Sequence, residues 1–323
     1  MRRTRAEVCQ NGIRPGVRGG TGLRGGGVGV VKEADSLAVE LCGLALRTPL
    51  MNAAGTASMD VLAANAGVFG AVVPKTVTPA ARPGNAPPRV AETPSGMVNS
   101  IGLQNPGVDG FLERIREYDV RVPIVVSVAG DTVAEFAALC ERMATVAQVA
   151  AVEINLSCPN VEHGGLSFCA GTKSVAEAVD ASRRALVGKP LFVKLTNEGV
   201  VRNSLAAEEA GADALTLINT VPALTVDARE RRVLVKGGLS GPAIKPIALR
   251  AVHDVSREVG IPVIGCGGVA RGTDMAEFML AGAAAVQIGS SSFIREPVDV
   301  LDEFAAYLRD SGMSARELVG AIK

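Results

Sequence analysis

Eight short apolar runs, each followed by a longer amphipathic stretch, constrain this chain more than any other feature. They are PLMNA from 49, GAVVPKT from 70, PIVVSVAG from 123, AVEINLS from 151, LFVKLT from 191, ADALTLINT from 212, PVIGCGG from 262 and AAVQIGS from 284. Near-continuous hydrophobicity suits strands covered on both faces, and the intervening amphipathic stretches predict repeated β-α units in a parallel sheet. Helices are expected over 131–147, 173–186, 241–258 and 272–281, the first opened by Asp131 and Thr132 as caps. Eight such units predict an α/β fold, a closed (β/α)8 TIM barrel, which about 250 residues accommodate as one domain.

Residues 1–34 stand apart from that pattern. Arg2, Arg3, Arg5, Arg14, Arg18 and Arg24 alternate with glycine, as in RGGTGLRGGG, and apolar side chains are scarce. Such a stretch predicts a disordered Arg/Gly-rich tail ahead of a single barrel domain over 35–323. The glycines deny it the apolar face of an amphipathic targeting helix, and a translation start near Val28 to Val31 would remove it altogether.

Composition excludes several classes. Lysine plus arginine equals aspartate plus glutamate at 33 each, so there is no broad positive field for a nucleic-acid backbone. Cys9, Cys42, Cys140, Cys158, Cys169 and Cys266 form no CxxC pair, which predicts neither a zinc site nor a disulfide framework and suits a reducing, cytoplasmic compartment. Only His163 and His253 are present, too few for a histidine-based metal site or triad, so no metal is expected. No apolar run approaches the roughly 20 residues that span a bilayer, and no membrane association is expected.

The chemistry is expected at the C-terminal ends of the strands, where barrel enzymes assemble their sites. Asn52, Lys75, Asn155, Lys194, Asn219 and Thr220 recur there, which predicts one shared pocket. The stretch from Pro79 to Pro106, rich in proline, glycine and asparagine, is too long for a simple connector and belongs over the same face. After the last two strands come Gly265-Cys266-Gly267-Gly268 and Ile288-Gly289-Ser290-Ser291, matching the barrel loops that offer backbone N–H groups to a phosphate; the same glycines would also serve simply to end strands. Neither a GxGxxG after the first strand nor a GxxxxGK[ST] loop is present, so flavin mononucleotide suits the chain better than a Rossmann-bound dinucleotide or a P-loop nucleotide. The segment Asn155-Leu156-Ser157-Cys158-Pro159-Asn160 sets a thiol between two carboxamides, where it would serve either as a proton acceptor or as a buried structural cysteine.

NLSCPN, RVAETPSGMVNSIGLQNPG at 89–107 and GGLSGPAIKPIALR at 237–250 together resemble the class 1B dihydroorotate dehydrogenases, over a span from about Leu37 to Phe304. The resemblance implies oxidation of (S)-dihydroorotate to orotate in de novo pyrimidine (UMP) biosynthesis. A base removes a proton from C5 while hydride passes from C6 to FMN; Cys158 matches the base. It places substrate against Lys75, Asn99, Ile101, Gly102, Leu103, Asn155, Asn160, Asn219 and Thr220. It places FMN against Ala54, Gly55, Lys75, Thr76, Ser127, Asn155, Lys194 and Ile218, with the phosphate at Gly241, Gly267, Gly268, Gly289 and Ser290. It further implies a homodimer or heterotetramer with a separate FAD and iron-sulfur subunit that uses NAD. This chain has no cysteine cluster or Rossmann fingerprint to be that subunit itself.

Class 2 members place serine as base and add a membrane-binding segment, and neither feature occurs here. Cys169, where the family pattern expects glycine, and LTNEGV at 195–200, which lacks the family's proline, depart from the pattern. The alternative is a dihydropyrimidine dehydrogenase-like reductase acting on uracil or thymine, against which Asn160 stands where that family carries histidine.

Overall fold

The computed structural model describes residues 36–118, 120–156 and 171–323. The expected tail over 1–34, together with Cys158, Asn160, His163 and Cys169, lies outside the described residues.

A hairpin of β1 (Val39–Leu41) and β2 (Leu44–Leu46) leads into β3 (Leu50–Asn52) and the short helix α1 (Met59–Ala64). Next come β4 (Val90–Thr93), β5 (Gly96–Asn99) and α2 (Gly107–Ile115). Alternation follows in β6 (Ile124–Val128), α3 (Val133–Ala144), β7 (Val149–Asn155), α4 (Thr172–Ala185), β8 (Leu191–Leu195), α5 (Val200–Glu209) and β9 (Ala214–Leu217). A second hairpin, β10 (Val221–Asp227) and β11 (Arg232–Ser240), precedes α6 (Lys245–Val255), β12 (Val263–Cys266), α7 (Gly272–Leu280) and β13 (Ala283–Ile288). The chain ends in α8 (Pro297–Ser311) and α9 (Ala315–Leu318).

Seven strands form one sheet in the order β3-β13-β12-β9-β8-β7-β6, with every neighbouring pair parallel. The eighth stave is the buried segment Ala71–Val73, which bridges Met51 on one side and Ile124 on the other, both in parallel. Val72 donates to Pro123 O at 3.0 Å and its carbonyl accepts from Val125 N–H at 2.9 Å, so the ring closes as a (β/α)8 barrel. The expected second strand is therefore present as a bridged stave rather than a regular ladder. Pro74 follows at once and has no N–H to extend the pairing.

Every residue of β6 and β8 is buried, as expected of strands packed between the barrel interior and a ring of helices. Of the two caps proposed for the 131–147 helix, Thr132 is the one that accepts from a first-turn amide, Glu135 N–H at 3.2 Å. The stretch expected to be helical over 241–258 is divided into a 3-10 turn, Pro242–Ile244, and α6.

Two segments carry strands that the apolar runs do not signal. Within the long 79–106 stretch β4 and β5 form a hairpin, and β10 and β11 form another, joined in the antiparallel order β10-β11-β5-β4. Along β10 burial alternates residue by residue, the mark of a sheet with one covered face. Asp227 makes its turn by accepting the N–H groups of Arg229 and Glu230 at 2.9 and 3.0 Å. This four-stranded sheet supplies residues to the roof of the site.

Candidate active site

The strand ends converge on a cavity of about 470 Å³. Its wall takes Ala54 and Gly55 after β3, Lys75 and Thr76 after the bridged stave, Asn155 from β7 and Lys194 from β8. Ile218, Asn219 and Thr220 follow β9; Gly267 and Gly268 follow β12; Gly289 and Ser290 follow β13. The antiparallel sheet and the loop after it add Asn99, Ile101, Gly102, Leu103 and Gly241.

Two expected residues do not line the cavity. Ser127 is wholly buried and its hydroxyl lies 2.9 Å from that of Thr76, so it orients Thr76 from behind. Asn52 is buried and spends its carboxamide on the backbone of Val73. Cys158 and Asn160 lie outside the described residues.

The carboxamides hold one another in place. Asn219 Nδ2 donates to Asn155 Oδ1 at 3.2 Å, while Asn219 Oδ1 accepts from Thr220 N–H at 2.8 Å, which fixes the Asn219 amide orientation. Asn99 donates to Gly238 O at 3.4 Å and so ties β5 to β11. Asn105 anchors the loop leading from the roof. It donates to Thr78 Oγ1 and Leu103 O at 2.8 and 2.7 Å and accepts from Gly107 N–H at 2.8 Å.

Among the described residues, the charged groups lining the cavity are Lys75, Arg89 and Lys194, with no aspartate or glutamate. A chain of zero formal net charge thus presents a locally cationic pocket, suited to anionic ligands. Arg89 is committed to Gln104 Oε1 at 2.9 Å and Asn85 O at 3.3 Å. Lys75 is exposed to the cavity and makes no hydrogen bond or ion pair with a described residue.

Lys194, 4% exposed, donates to Gln287 Oε1 at 3.1 Å and lies 3.6 Å from Cys266 Sγ and 4.0 Å from Glu153 Oε1. Burial works against its ammonium, but the sulfur of Cys266 first and the carboxylate of Glu153 second outweigh that and hold its pKa above the ordinary lysine value. Burial pushes the Cys266 thiol up despite the pull of Lys194, and Glu153 is the one carboxylate that the described residues set against the ammonium.

The glycine loops after β12 and β13 line one end of the cavity. Gly268 sits at φ +82°, and a Cβ there would lie 2.6 Å from Lys245 Cβ and 2.7 Å from Lys245 N. Nearby, Ser290 Oγ is buried with no hydrogen-bond partner. Lys245 is spent on Asp274 and Glu277 at 2.7 and 2.8 Å. An anion here would therefore meet backbone amides and a hydroxyl rather than a free ammonium.

Sequence reading passed over Glu153, Thr216, Gln287 and the thiol of Cys266. A signal for Glu153 existed: it is two residues before Asn155 on one strand, so it shares that residue's face within a run that is otherwise apolar up to Asn155. A carboxylate in that position needs a partner.

Among the described residues no helix is long and apolar enough to cross a membrane, and no cluster of histidine, cysteine, aspartate and glutamate could hold a metal.

Comparison with known proteins follows the same lines. The family described as Dihydroorotate dehydrogenase matches residues 36–308. The chain is 43% identical over 304 residues to "Dihydroorotate dehydrogenase B (NAD(+)), catalytic subunit" of Geobacter sulfurreducens, covering 90% of this chain and 99% of the relative. The protein of the same description from Anoxybacillus flavithermus is 43% identical over 290 residues, covering 85% and 92%. A solved structure of DHODH from Eimeria tenella in complex with ferulenol superposes with a TM-score of 0.75 at 24% identity over 90% of each chain, a likeness of fold.

Proposed function

The chain belongs to the dihydroorotate dehydrogenase family, and from that premise we propose how its cavity carries the reaction. It is an oxidoreductase of the type B catalytic-subunit class, which oxidises (S)-dihydroorotate to orotate in pyrimidine biosynthesis.

The residues present fit a flavin, and FMN in particular. Ser290 Oγ, buried without a hydrogen-bond partner, and the Gly267–Gly268 and Gly289 loops that line the cavity with it would suit its phosphate. Gly241 lines the same cavity, while Ala54, Gly55, Thr76 and Ile218 would hold the ribityl chain and ring, with Ser127 acting through Thr76. Lys194 and Lys75, which line the cavity, would supply cations to it. When bound, the flavin supplies the hydride acceptor.

The chain's own residues do the rest. Asn99, Asn155, Asn160 and Asn219 hold the amide and carboxylate groups of the substrate, because a carboxamide offers donors and an acceptor together. The Ile101-Gly102-Leu103 backbone and Thr220 add contacts, and Lys75 faces the substrate's negative charge. Cys158 takes the C5 proton; a thiol of pKa about 8.5 is a workable base near neutral pH. The relatives' description as a catalytic subunit suggests a separate partner subunit; that partner would carry FAD and an iron-sulfur cluster and would supply the link to NAD. The assembly is a homodimer or a heterotetramer, works in the cytoplasm, and engages neither membrane nor nucleic acid. Residues 1–34 are a tail and 35–323 the catalytic domain.

One observation carries this reading. Among the described residues, three cations, no carboxylate and the Asn99, Asn155 and Asn219 carboxamides line a single cavity together with the glycine loops and the unpaired Ser290 hydroxyl. The test is anaerobic bleaching of the flavin absorbance on adding dihydroorotate, with dihydrouracil as control. Bleaching by dihydroorotate alone is expected; bleaching by dihydrouracil would transfer the chain to uracil chemistry, and a protein that takes up no FMN would overturn the flavin assignment.

A further inference from the structure

We propose that Glu153 is a positioning residue that, acting with Gln287, keeps the Lys194 ammonium charged and aimed into the cavity.

Glu153 lies wholly buried in the barrel interior, two residues below the cavity-lining Asn155. Its Oε2 accepts from Thr216 Oγ1 at 2.8 Å and from Gln287 Nε2 at 3.1 Å. Its Oε1 has no hydrogen-bond partner and faces Lys194 Nζ at 4.0 Å. Carboxylates buried without full hydrogen bonding are costly, so this one needs the cation.

Gln287 carries the directional part. Its two amide ends are inequivalent, and the carboxylate of Glu153 accepts only from the NH2 end. The carbonyl end is thereby turned toward Lys194, where it accepts the ammonium proton at 3.1 Å. Replacing Glu153 would remove both the counter-charge and the group that sets the Gln287 orientation.

Among the described residues, three further strands bring groups toward Lys194. Thr216 and Gln287, from β9 and β13, are neutral, and burial pushes up the thiol of Cys266 from β12. Glu153 from β7 is the only carboxylate that the described residues place against the ammonium. Without it the ammonium loses its facing carboxylate, and burial, which favours the neutral amine, weighs more heavily against the charge.

Two measurements test this, and only the second rests on the flavin reading. In ligand-free protein carrying 13Cε-labelled lysine, the Lys194 resonance, assigned by its loss in Lys194→Met, is titrated by NMR. Glu153→Gln should lower its midpoint by about two pH units or more, whereas Glu153→Asp should largely restore it. An unchanged midpoint in Glu153→Gln overturns the proposal. Should that variant not fold, Gln287→Met replaces it, with a smaller downward shift expected and no shift overturning the relay.

In FMN-loaded protein, proton uptake on two-electron reduction is read from the slope of midpoint potential against pH. Wild type should take up one proton, because Lys194 is charged throughout, and Glu153→Gln should move toward two, because the lysine then charges only when the flavin does. A merely structural role would leave that count unchanged. Failure to bind FMN would count against the flavin reading and leave the titration as the test of Glu153.

Discussion

The carboxamide of Asn52 replaces a stretch of backbone ladder opposite Val73. Its Nδ2 donates to Val73 O at 2.7 Å and its Oδ1 accepts Val73 N–H at 2.7 Å, so one side chain pairs both polar groups of a buried residue. This bond joins β3 to the one stave that forms no regular ladder. Asn52→Leu should strand the N–H and C=O of Val73 and cost roughly 3 kcal/mol in urea unfolding. A loss under about 0.5 kcal/mol, the scale of an ordinary surface change, would show that the ring closes without it.

Gly268 tests the anion site. An alanine there would be strained at φ +82° and would press on Lys245. Gly268→Ala should weaken FMN binding at least about tenfold, equivalent to roughly 1.4 kcal/mol, measured by flavin fluorescence on titrating the flavin-free protein. Affinity equal to wild type would place the phosphate elsewhere.

Removing the buried cation should be more damaging than removing the buried pair. Lys194→Met leaves Glu153 uncompensated and should cost roughly 3–5 kcal/mol of unfolding free energy, while adding Glu153→Gln should recover much of that loss. Additive losses in the double variant would mean that the two groups do not interact.

Burial pushes the Cys140 thiol up from about 9 to about 12. Between those values the folded thiol keeps a proton that the unfolded chain releases, so stability present below pH 9 is lost as pH rises toward 12. The loss attributable to this group reaches roughly 4 kcal/mol at the top of the window. Cys140→Ala should flatten the decline in urea midpoint over that range; an identical decline would assign it to other groups.

Cys158→Ala should retain FMN and orotate binding yet lose about 10²–10⁴-fold in turnover, because it removes the proton acceptor and leaves the carboxamides in place. Stopped-flow bleaching of the flavin at saturating dihydroorotate reads this directly. Bleaching at the wild-type rate would rule out Cys158 as the base.

The eight apolar runs were enough to read the barrel, because a strand buried on both faces must be apolar along its length and that pattern is local. The roof was harder to read. The strands β10 and β11 have one covered face and begin immediately after Asn219 and Thr220, so their alternation is hidden by a neighbouring functional segment. The hairpin of β4 and β5 is short and interrupted by Pro94 and Gly96, which read as loop until β11 supplies a pairing edge.

The site divides along the same physical line. Which residues stand at strand ends follows from the period of two and the position of each run, so Lys75, Asn155, Lys194, Asn219 and the glycine loops were legible from the chain alone. How each polar group is spent depends on neighbours that are distant in sequence. Asn52 stands among the strand-end residues in sequence, yet its amide bonds Val73; Ser127 matches a cofactor position, yet it stands behind Thr76. Glu153 is 134 positions from Gln287, and their bond exists only because closing the barrel brings β7 and β13 side chains into one interior. Strand order and inward face are encoded locally by hydrophobic pattern, whereas the pairing of buried donors, acceptors and charges is settled only when closure removes water and leaves each group the partners across the barrel.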